Sequence, residues 1–317
     1  MVIATRNRAV SLSKMLSSLR AQGMLPAEIV VIDASDNITQ TSEILAEWQC
    51  IVKQLTTIKH ELAKEIGAAA QRNQGVAIAT RPFIWFIDDD VVFESNCVQR
   101  LWGAVESDRQ LGGVNAMIVN QRYQTPGTIS RLMFTLMHGR AEETFAGKVI
   151  GPAINLLPED HTDLPEIVPV EWLNTTCTIY RREALPNQPF DPFFTGYSLM
   201  EDVTLSLRVA QAGWKLANVR TARIYHDSQT GKQKSDVSAH AAMELGNRYY
   251  VMRNVLKRNR LFDHVRLLVW ELFSIASSCA SPKGRKNLGF VLAGKWKALR
   301  NLRGSKKTSD YANNADC

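Results

Sequence analysis

The amino-acid sequence predicts an α/β fold built on a mostly parallel sheet with crossover helices, followed by a basic helical C-terminal extension. Two observations carry the first part. Short apolar runs alternate with helical periodicities through the first half of the chain, and one run, Phe83-Ile-Trp-Phe-Ile87, is apolar throughout, as a strand buried on both faces must be. Charge carries the second part. Residues 1–230 hold 21 Lys and Arg against 25 Asp and Glu, whereas residues 231–317 hold 17 against 6, so the net charge of +7 belongs to the C-terminal segment. A hydrophobic share of 45% and a charged share of 22% exclude wholesale disorder.

In chain order, Val2–Thr5 reads as a short strand, followed by a helix with Val10, Met15, Leu16 and Leu19 on one face. Glu28–Ile32 reads as a second strand ending at Asp33. Residues 42–48 suggest a helix, Ile51–Leu55 a third strand, and Glu61–Ala79 a longer helix whose small residues Ala68, Ala69 and Ala70 allow close packing. The apolar run at 83–87 is the next strand, bounded by Pro82 and by acids, and a helix follows near 95–106. Residues 120–170 read as loop-like around Pro126, Pro152, Pro158 and Pro165. Order returns with a strand-like Trp172–Tyr180, a helix from Glu201 to near Gly213, and a strand-like stretch ending at Ile224-Tyr-His226. Helical patterns dominate from about residue 235.

In a parallel α/β sheet, ligands bind beyond the carboxyl ends of the strands, which is where Asp33 and Asp88–Asp90 fall. Three adjacent carboxylates there repel one another unless a cation compensates them. Oxygen ligands favour Mg²⁺ or Mn²⁺, and such an ion bridges carboxylates to a diphosphate and stabilises a leaving phosphate. A solvated acidic turn is the competing reading. Glu201 and Asp202 open an amphipathic helix within the stretch Tyr197–Arg208; ordinary capping by the helix dipole competes there with a general base fixed on a rigid element. His226 taken alone reads equally as a structural histidine. Trp172 and Trp214 read as core aromatics rather than ligand-stacking platforms.

Together, Val2-Ile-Ala-Thr-Arg-Asn-Arg8, Asp33, Arg72-Asn73-Gln74-Gly75, Phe86-Ile-Asp-Asp-Asp90, Phe190-Asp191, Glu201-Asp202 with Arg208, Gly213-Trp214, and His226 resemble the ordered landmarks of the family 2 glycosyltransferases. The resemblance spans about residues 1–230 and is specific as a set. It implies the GT-A fold: a catalytic domain over 1–230, with a nucleotide-sugar half over about 1–115 and an acceptor half over about 116–230, then the helical basic extension 231–317. By position it implies that Thr5 and Arg8 lie by the nucleotide, that Asp33 accepts a hydrogen bond from the base, and that Arg72 sits near the diphosphate. Asp88 would lie near the ribose or sugar and also on the metal, with Asp89 on the donor and Asp90 on the metal. His226 is implied as a further metal ligand, Asp202 as the catalytic base and Glu201 as its neighbour that places acceptor or base. The implied activity is inverting hexosyl transfer from a UDP-, GDP- or dTDP-linked sugar to a hydroxyl of a saccharide or lipid-linked acceptor, in cell-surface polysaccharide or glycolipid synthesis.

Rival functions remain at this level. A metal-dependent nucleotidyltransferase shares the acids, although the glycine-rich loop usual after its first strand is absent from Thr5-Arg-Asn-Arg8. A nucleic-acid-binding protein would use the basic segment, yet that segment holds no recognisable base-reading motif, so no nucleic acid is expected. A degenerate, non-catalytic binding module is the third. The basic segment fits an anionic membrane surface, with Leu267, Leu268, Trp270, Leu272 and Phe273 in the interface; packing on the catalytic domain competes. Its best apolar stretch, Leu267–Ala280, is shorter than the ~20 residues of a membrane span and contains Glu271. No signal peptide follows Met1, and the five scattered cysteines read as reduced thiols. The expected location is therefore cytoplasmic, peripheral on the inner face of the cytoplasmic membrane.

Overall fold

A computed structural model of the chain describes residues 1–53, 55–196, 198–227 and 236–312, with side chains to Leu302; Tyr197 lies outside the described residues. The chain divides into two compact units. The first comprises Met1–Thr125, Glu143–Val149 and Asn155–Ser228, and the second Pro126–Glu142, Ile150–Ile154 and Gln229–Cys317.

The first unit is a nine-stranded, mostly parallel sheet flanked by helices. Its strands are β1 (Val2–Thr5), β2 (Glu28–Asp33), β3 (Thr57–Leu62), β4 (Phe83–Asp88), β5 (Val91–Phe93), β6 (Leu111–Ile118), β7 (Ile167–Val170), β8 (Cys177–Arg181) and β9 (Lys215–His226). They run in the order β3-β2-β1-β4-β8-β6-β9-β5, with β7 paired to β9. The helices in chain order are α1 (Ala9–Arg20), α2 (Thr39–Val52), α3 (Ala68–Ile78), α4 (Cys97–Ser107), α5 (Thr128–His138), α6 (Glu201–Gln211), α7 (Val237–Tyr250), α8 (Leu261–Cys279) and α9 (Pro282–Ala312). Of these, α5 and α7–α9 belong to the second unit.

The four strands β3, β2, β1 and β4 are parallel, and alternation divides their side chains between two buried faces. Ile3, Ile29, Val31 and Ile87 join Leu12, Leu16, Trp48 and Leu101 in one core cluster. The other face lies against α3. There Gly75 sits so close to β1 that a Cβ would meet Val2 Cγ1 at 2.4 Å, which accounts for glycine at this helical position.

Four element boundaries differ from the sequence expectation. Residues Ile51 and Val52 finish α2, in which Thr41, Leu45, Trp48 and Val52 form the buried stripe. The third strand lies instead at Thr57–Leu62, an edge strand whose exposed, polar composition concealed it. That strand displaces the start of α3 to Ala68. On α1 the buried stripe is Ala9, Leu12, Met15, Leu16 and Leu19, leaving Val10 exposed. The fully buried β6 had no apolar signature because Gly112 and Gly113 occupy it. A Cβ on Gly113 would meet the Tyr180 ring at 2.6 Å, and one on Gly112 would meet Trp214 Cβ at 2.6 Å. The strand expected over Trp172–Tyr180 covers only Cys177–Arg181.

In the second unit, Leu245, Met252, Leu267 and Ala298 form a small buried cluster. A Cβ on Gly294 would approach Ser238 O to 2.2 Å, so α9 and α7 pack at backbone contact. Beside them Arg248 donates to Glu271 at 2.7 Å and to Glu244 at 3.1 Å, and Lys295 also pairs with Glu271. No helix among the described residues is long and apolar enough to cross a membrane.

Candidate active site

Strand register assembles the site before any side chain is considered. Thr5 pairs with Asp33, and Ala4 with Asp88, so these acids and the threonine stand at the carboxyl edge of three adjacent parallel strands. Asp89 and Asp90 form the tight turn from β4 into β5. The antiparallel partner β9 pairs His226 with Val91, one residue beyond that turn. Glu201 and Asp202 occupy the first turn of α6, where the dipole favours carboxylates. The preceding residues Ser198 and Met200 adopt left-handed backbone conformations, at φ 55° and 72°, that aim this helix start.

One connected network joins most of the expected residues. The Thr5 hydroxyl donates to Asp89 Oδ2 at 2.6 Å, and Arg8 donates to Asp89 Oδ1 at 3.1 Å and to Asp90 Oδ2 at 2.8 Å. Buried Arg72 bridges Asp88 Oδ1, at 2.7 Å, and Glu201. His226 Nε2 lies 3.0 Å from Asp90 Oδ1 and 3.8 Å from Asp88 Oδ2.

The three residues Asp88, Asp90 and His226 offer one ligand atom each, all within 4.8 Å of one another. Asp90 Oδ1 is buried and makes no hydrogen bond of good geometry, its approach to His226 notwithstanding. An orphaned carboxylate oxygen facing a second carboxylate and an imidazole fits a divalent ion, and this mixed O/N donor set suits Mn²⁺.

Burial sets the proton affinities of the acids. It pushes Asp89 up to about 6 against the opposing pull of Thr5 and Arg8. It pushes Asp202 up to about 6 and Glu201 to about 7, the latter despite Arg72. For Asp90 burial acts in the same direction, but His226 and Arg8 together outweigh it and hold the carboxyl below its usual range.

Asp33 stands apart from the carboxylate cluster. Its side chain is wholly buried; Oδ1 accepts the Ser35 amide at 2.8 Å and Oδ2 lies 3.3 Å from His60 Nε2. Gln71 ties this strand end to the first, donating to Thr5 O and Ile32 O at 3.0 and 2.8 Å.

Sequence reasoning missed several residues here. His60 escaped notice because β3 was expected at 51–55, which left it on no strand. Gln121, whose side chain contacts His226 Nδ1 at 3.2 Å, lies in a segment read as loop and carried no signal. The landmark Asn73 exchanges two hydrogen bonds with the Phe190 backbone, at 2.7 and 2.9 Å, and Arg208 pairs with Asp191. Those pairs tie α3 and α6 to the Phe190–Asp191 segment. Trp172 is buried with its indole N–H on Leu156 O at 2.8 Å, a core role as expected.

The sheet order, the acidic turn at its carboxyl edge and the helix start facing it define a GT-A fold. Residues 1–152 match the family model of glycosyl transferase family 2. The chain is 29% identical over 107 residues to the uncharacterized glycosyltransferase YwdF of Bacillus subtilis (strain 168); the match covers 33% of this chain and 37% of that relative's length. Among solved structures, GalNAc-T7 with UDP, GalNAc and Mn²⁺ aligns with a TM-score of 0.55 at 18% identity, over 80% of this chain and 47% of the other. The mannosyltransferase PcManGT from Pyrobaculum calidifontis, in complex with GDP-Man and Mn²⁺, aligns with a TM-score of 0.54 at 13% identity, over 94% of this chain and 86% of the other. At these identities the two structures speak for the fold.

Proposed function

We propose that the protein is an inverting glycosyltransferase that moves a sugar from a nucleotide-sugar donor to a hydroxyl of a saccharide or lipid-linked acceptor, in cell-surface polysaccharide or glycolipid synthesis. The observation that carries this reading is the convergence of Asp88, Asp90 and His226 at the sheet's carboxyl edge, with the helix bearing Glu201 and Asp202 tied to the same cluster through Arg72. The match of residues 1–152 to the family 2 model and the Mn²⁺-bound transferases of like fold support it.

Asp88, Asp90 and His226 would hold Mn²⁺ or Mg²⁺, which when bound would neutralise charge on the donor diphosphate. Arg8, the more exposed of the two arginines, is placed to turn toward the phosphates, and Thr5 and Asp89 line the donor side. Asp33, oriented by Ser35 and His60, faces the base end. Asp202 takes the proton from the acceptor hydroxyl; burial pushes it up to about 6, so it is ionised at neutral pH yet more basic than an exposed aspartate. Glu201, fixed by Arg72, holds the helix start and the acceptor. With a base on one side and charge neutralisation on the other, no covalent intermediate is needed.

A panel of UDP-, GDP- and dTDP-sugars with Mn²⁺, scored by thermal shift and donor hydrolysis, identifies the donor without knowledge of the acceptor. Asp202→Asn keeps shape and capping capacity but loses basicity, so transfer should fall by ~10²–10⁴-fold while donor affinity changes little. A folded Asp202→Asn protein with near-normal transfer removes Asp202 as the base. Release of pyrophosphate in place of a nucleoside diphosphate would replace the reading with nucleotidyl transfer.

A further inference from the structure

Helices of the second unit turn apolar stripes to solvent. On α8, Leu261, Val265, Leu268 and Leu272 recur at four-, three- and four-residue spacing, and each is exposed. On α9 the same pattern brings Leu292, Trp296 and Leu299 to the surface, and on α5 it exposes Ile129, Leu132 and Leu136. The stripes of α8 and α9 face each other across an open groove of about 470 Å³, walled by Leu268, Leu272 and Ile275 on one side and Leu292, Trp296 and Leu299 on the other. Its floor includes Glu271 and Lys295, whose charges pair with each other and with Arg248 and Glu244. The floor therefore offers no free charge to a polar ligand.

Cations border this apolar surface. Lys297 and Arg300 follow Trp296 and Leu299 on the exposed flank of α9, Arg260 precedes α8, and Lys283 and Lys286 lie in the first turns of α9. The segment 231–317 as a whole has 17 basic residues against 6 acidic. Apolar helix faces edged by Lys and Arg are the form that lies in a bilayer interface.

We propose that the α8–α9 face of the second unit docks on an anionic lipid bilayer, with Leu268, Leu272, Trp296 and Leu299 entering the headgroup–acyl boundary and Lys297 and Arg300 on the lipid phosphates. Charge decides between this occupant and a second copy of the chain. Two copies meeting through this face would bring two cationic rims together, whereas an anionic leaflet attracts each rim. The inference does not depend on the donor site, because every residue in it belongs to the second unit.

The test is vesicle flotation of the full chain, with phosphatidylcholine alone or mixed with phosphatidylglycerol, at low and high salt. Binding to the mixed vesicles that weakens with salt is expected, with little binding to phosphatidylcholine alone. Lys297→Glu with Arg300→Glu, both exposed, should weaken binding roughly tenfold or more and flatten its salt dependence. Trp296→Ser with Leu299→Ser should weaken it roughly tenfold or more at every salt concentration. Circular dichroism on both pairs keeps misfolding distinct from lost docking, and the charge pair decides if the apolar pair misfolds. No flotation with mixed vesicles, or unchanged flotation of the charge pair, overturns the proposal. So does sedimentation of the wild-type chain as a dimer that the apolar pair dissolves, since that makes a second copy the occupant.

Discussion

Replacing Arg72 by Met tests whether the core of the site is an electrostatic assembly or a packing arrangement. Arg72 is buried and bridges Asp88 and Glu201, so the substitution keeps most of the volume and strands two carboxylates. Breaking a buried pair from one side costs about 3–5 kcal/mol. Asp88 is the less burdened partner, because its side chain is 25% exposed against 7% for Glu201. Glu201 therefore decides the outcome. Burial already pushes it up to about 7 with Arg72 opposing, and without Arg72 it must rise further. A carboxyl whose folded pKa exceeds its unfolded value of 4.5 favours folding most below 4.5, and that contribution is lost as pH rises through the folded pKa. In the variant the loss continues beyond the pH at which wild-type Glu201 has ionised beside Arg72. At about pH 6 the variant should lose only the hydrogen bonds, about 1–3 kcal/mol, and at about pH 8.5 the full 3–5 kcal/mol. Urea midpoints followed by circular dichroism at both pH values give the difference, provided the slope m is unchanged. Adding Glu201→Gln should recover most of the loss at the higher pH. An equal loss at the two pH values, or no recovery in the double variant, would refute this account.

Further expectations concern the donor and the metal. Mn²⁺ should raise the unfolding temperature of the wild-type protein but not of Asp90→Ala, which should remain folded and lose nearly all turnover; full activity in excess EDTA would remove the metal from the mechanism. Asp33→Ala should weaken binding of the cognate nucleotide by roughly tenfold or more, and His60→Ala by less but in the same direction, read by calorimetry; unchanged affinity in Asp33→Ala excludes it from the base. With Asp202 pushed up to about 6, kcat/KM should rise with pH through about 6 and level off above, since only the ionised carboxylate accepts a proton. A flat profile between pH 5 and 8 would contradict Asp202 as the base of the free enzyme.

Elements whose burial is uniform or strictly periodic were legible in the sequence. The strand at Phe83–Asp88 is apolar up to Ile87 because it lies mid-sheet, and the helix at Glu201 announces itself by its acids and its Val203, Leu205 and Val209 pattern. The edge strand Thr57–Leu62 was not legible, because an edge position tolerates Lys59, His60 and Glu61 and gives no apolar signal. Leu111–Ile118 failed for the opposite reason: it is so tightly packed against Tyr180 and Trp214 that only glycines fit at 112 and 113, and glycine reads as a break. The acidic residues of the site were all identifiable as adjacent letters. What lay outside the sequence's reach was their pairing: that Arg8 serves Asp89 and Asp90 while Arg72 serves Asp88 and Glu201 depends on strand order, and on a contact spanning 129 positions.

That division of counter-ions bears on how the proposed reaction would begin. Four carboxylates, Asp88, Asp89, Asp90 and Glu201, share two guanidinium groups, with Asp202 next to Glu201 in the same helix turn, so a diphosphate arriving alone would meet a field of its own sign. In the proposed reading a divalent cation therefore enters with the donor or before it. The two arginines then have different parts. Arg72 is buried and bound at both ends, and leaving would strand Glu201, so it stays as a fixed counter-ion for the helix that carries Asp202. Arg8 has a side chain 34% exposed and bonds Asp90 Oδ2, the carboxylate that a metal would claim. With a cation held at Asp90, Arg8 would be free to turn its guanidinium to a phosphate oxygen. On the proposed reading the same charge accounting should make nucleotide affinity steeply metal-dependent in the wild-type chain. In Arg8→Ala the nucleotide should bind more weakly with metal present, while metal alone, relieved of a competing cation, should bind at least as tightly as before.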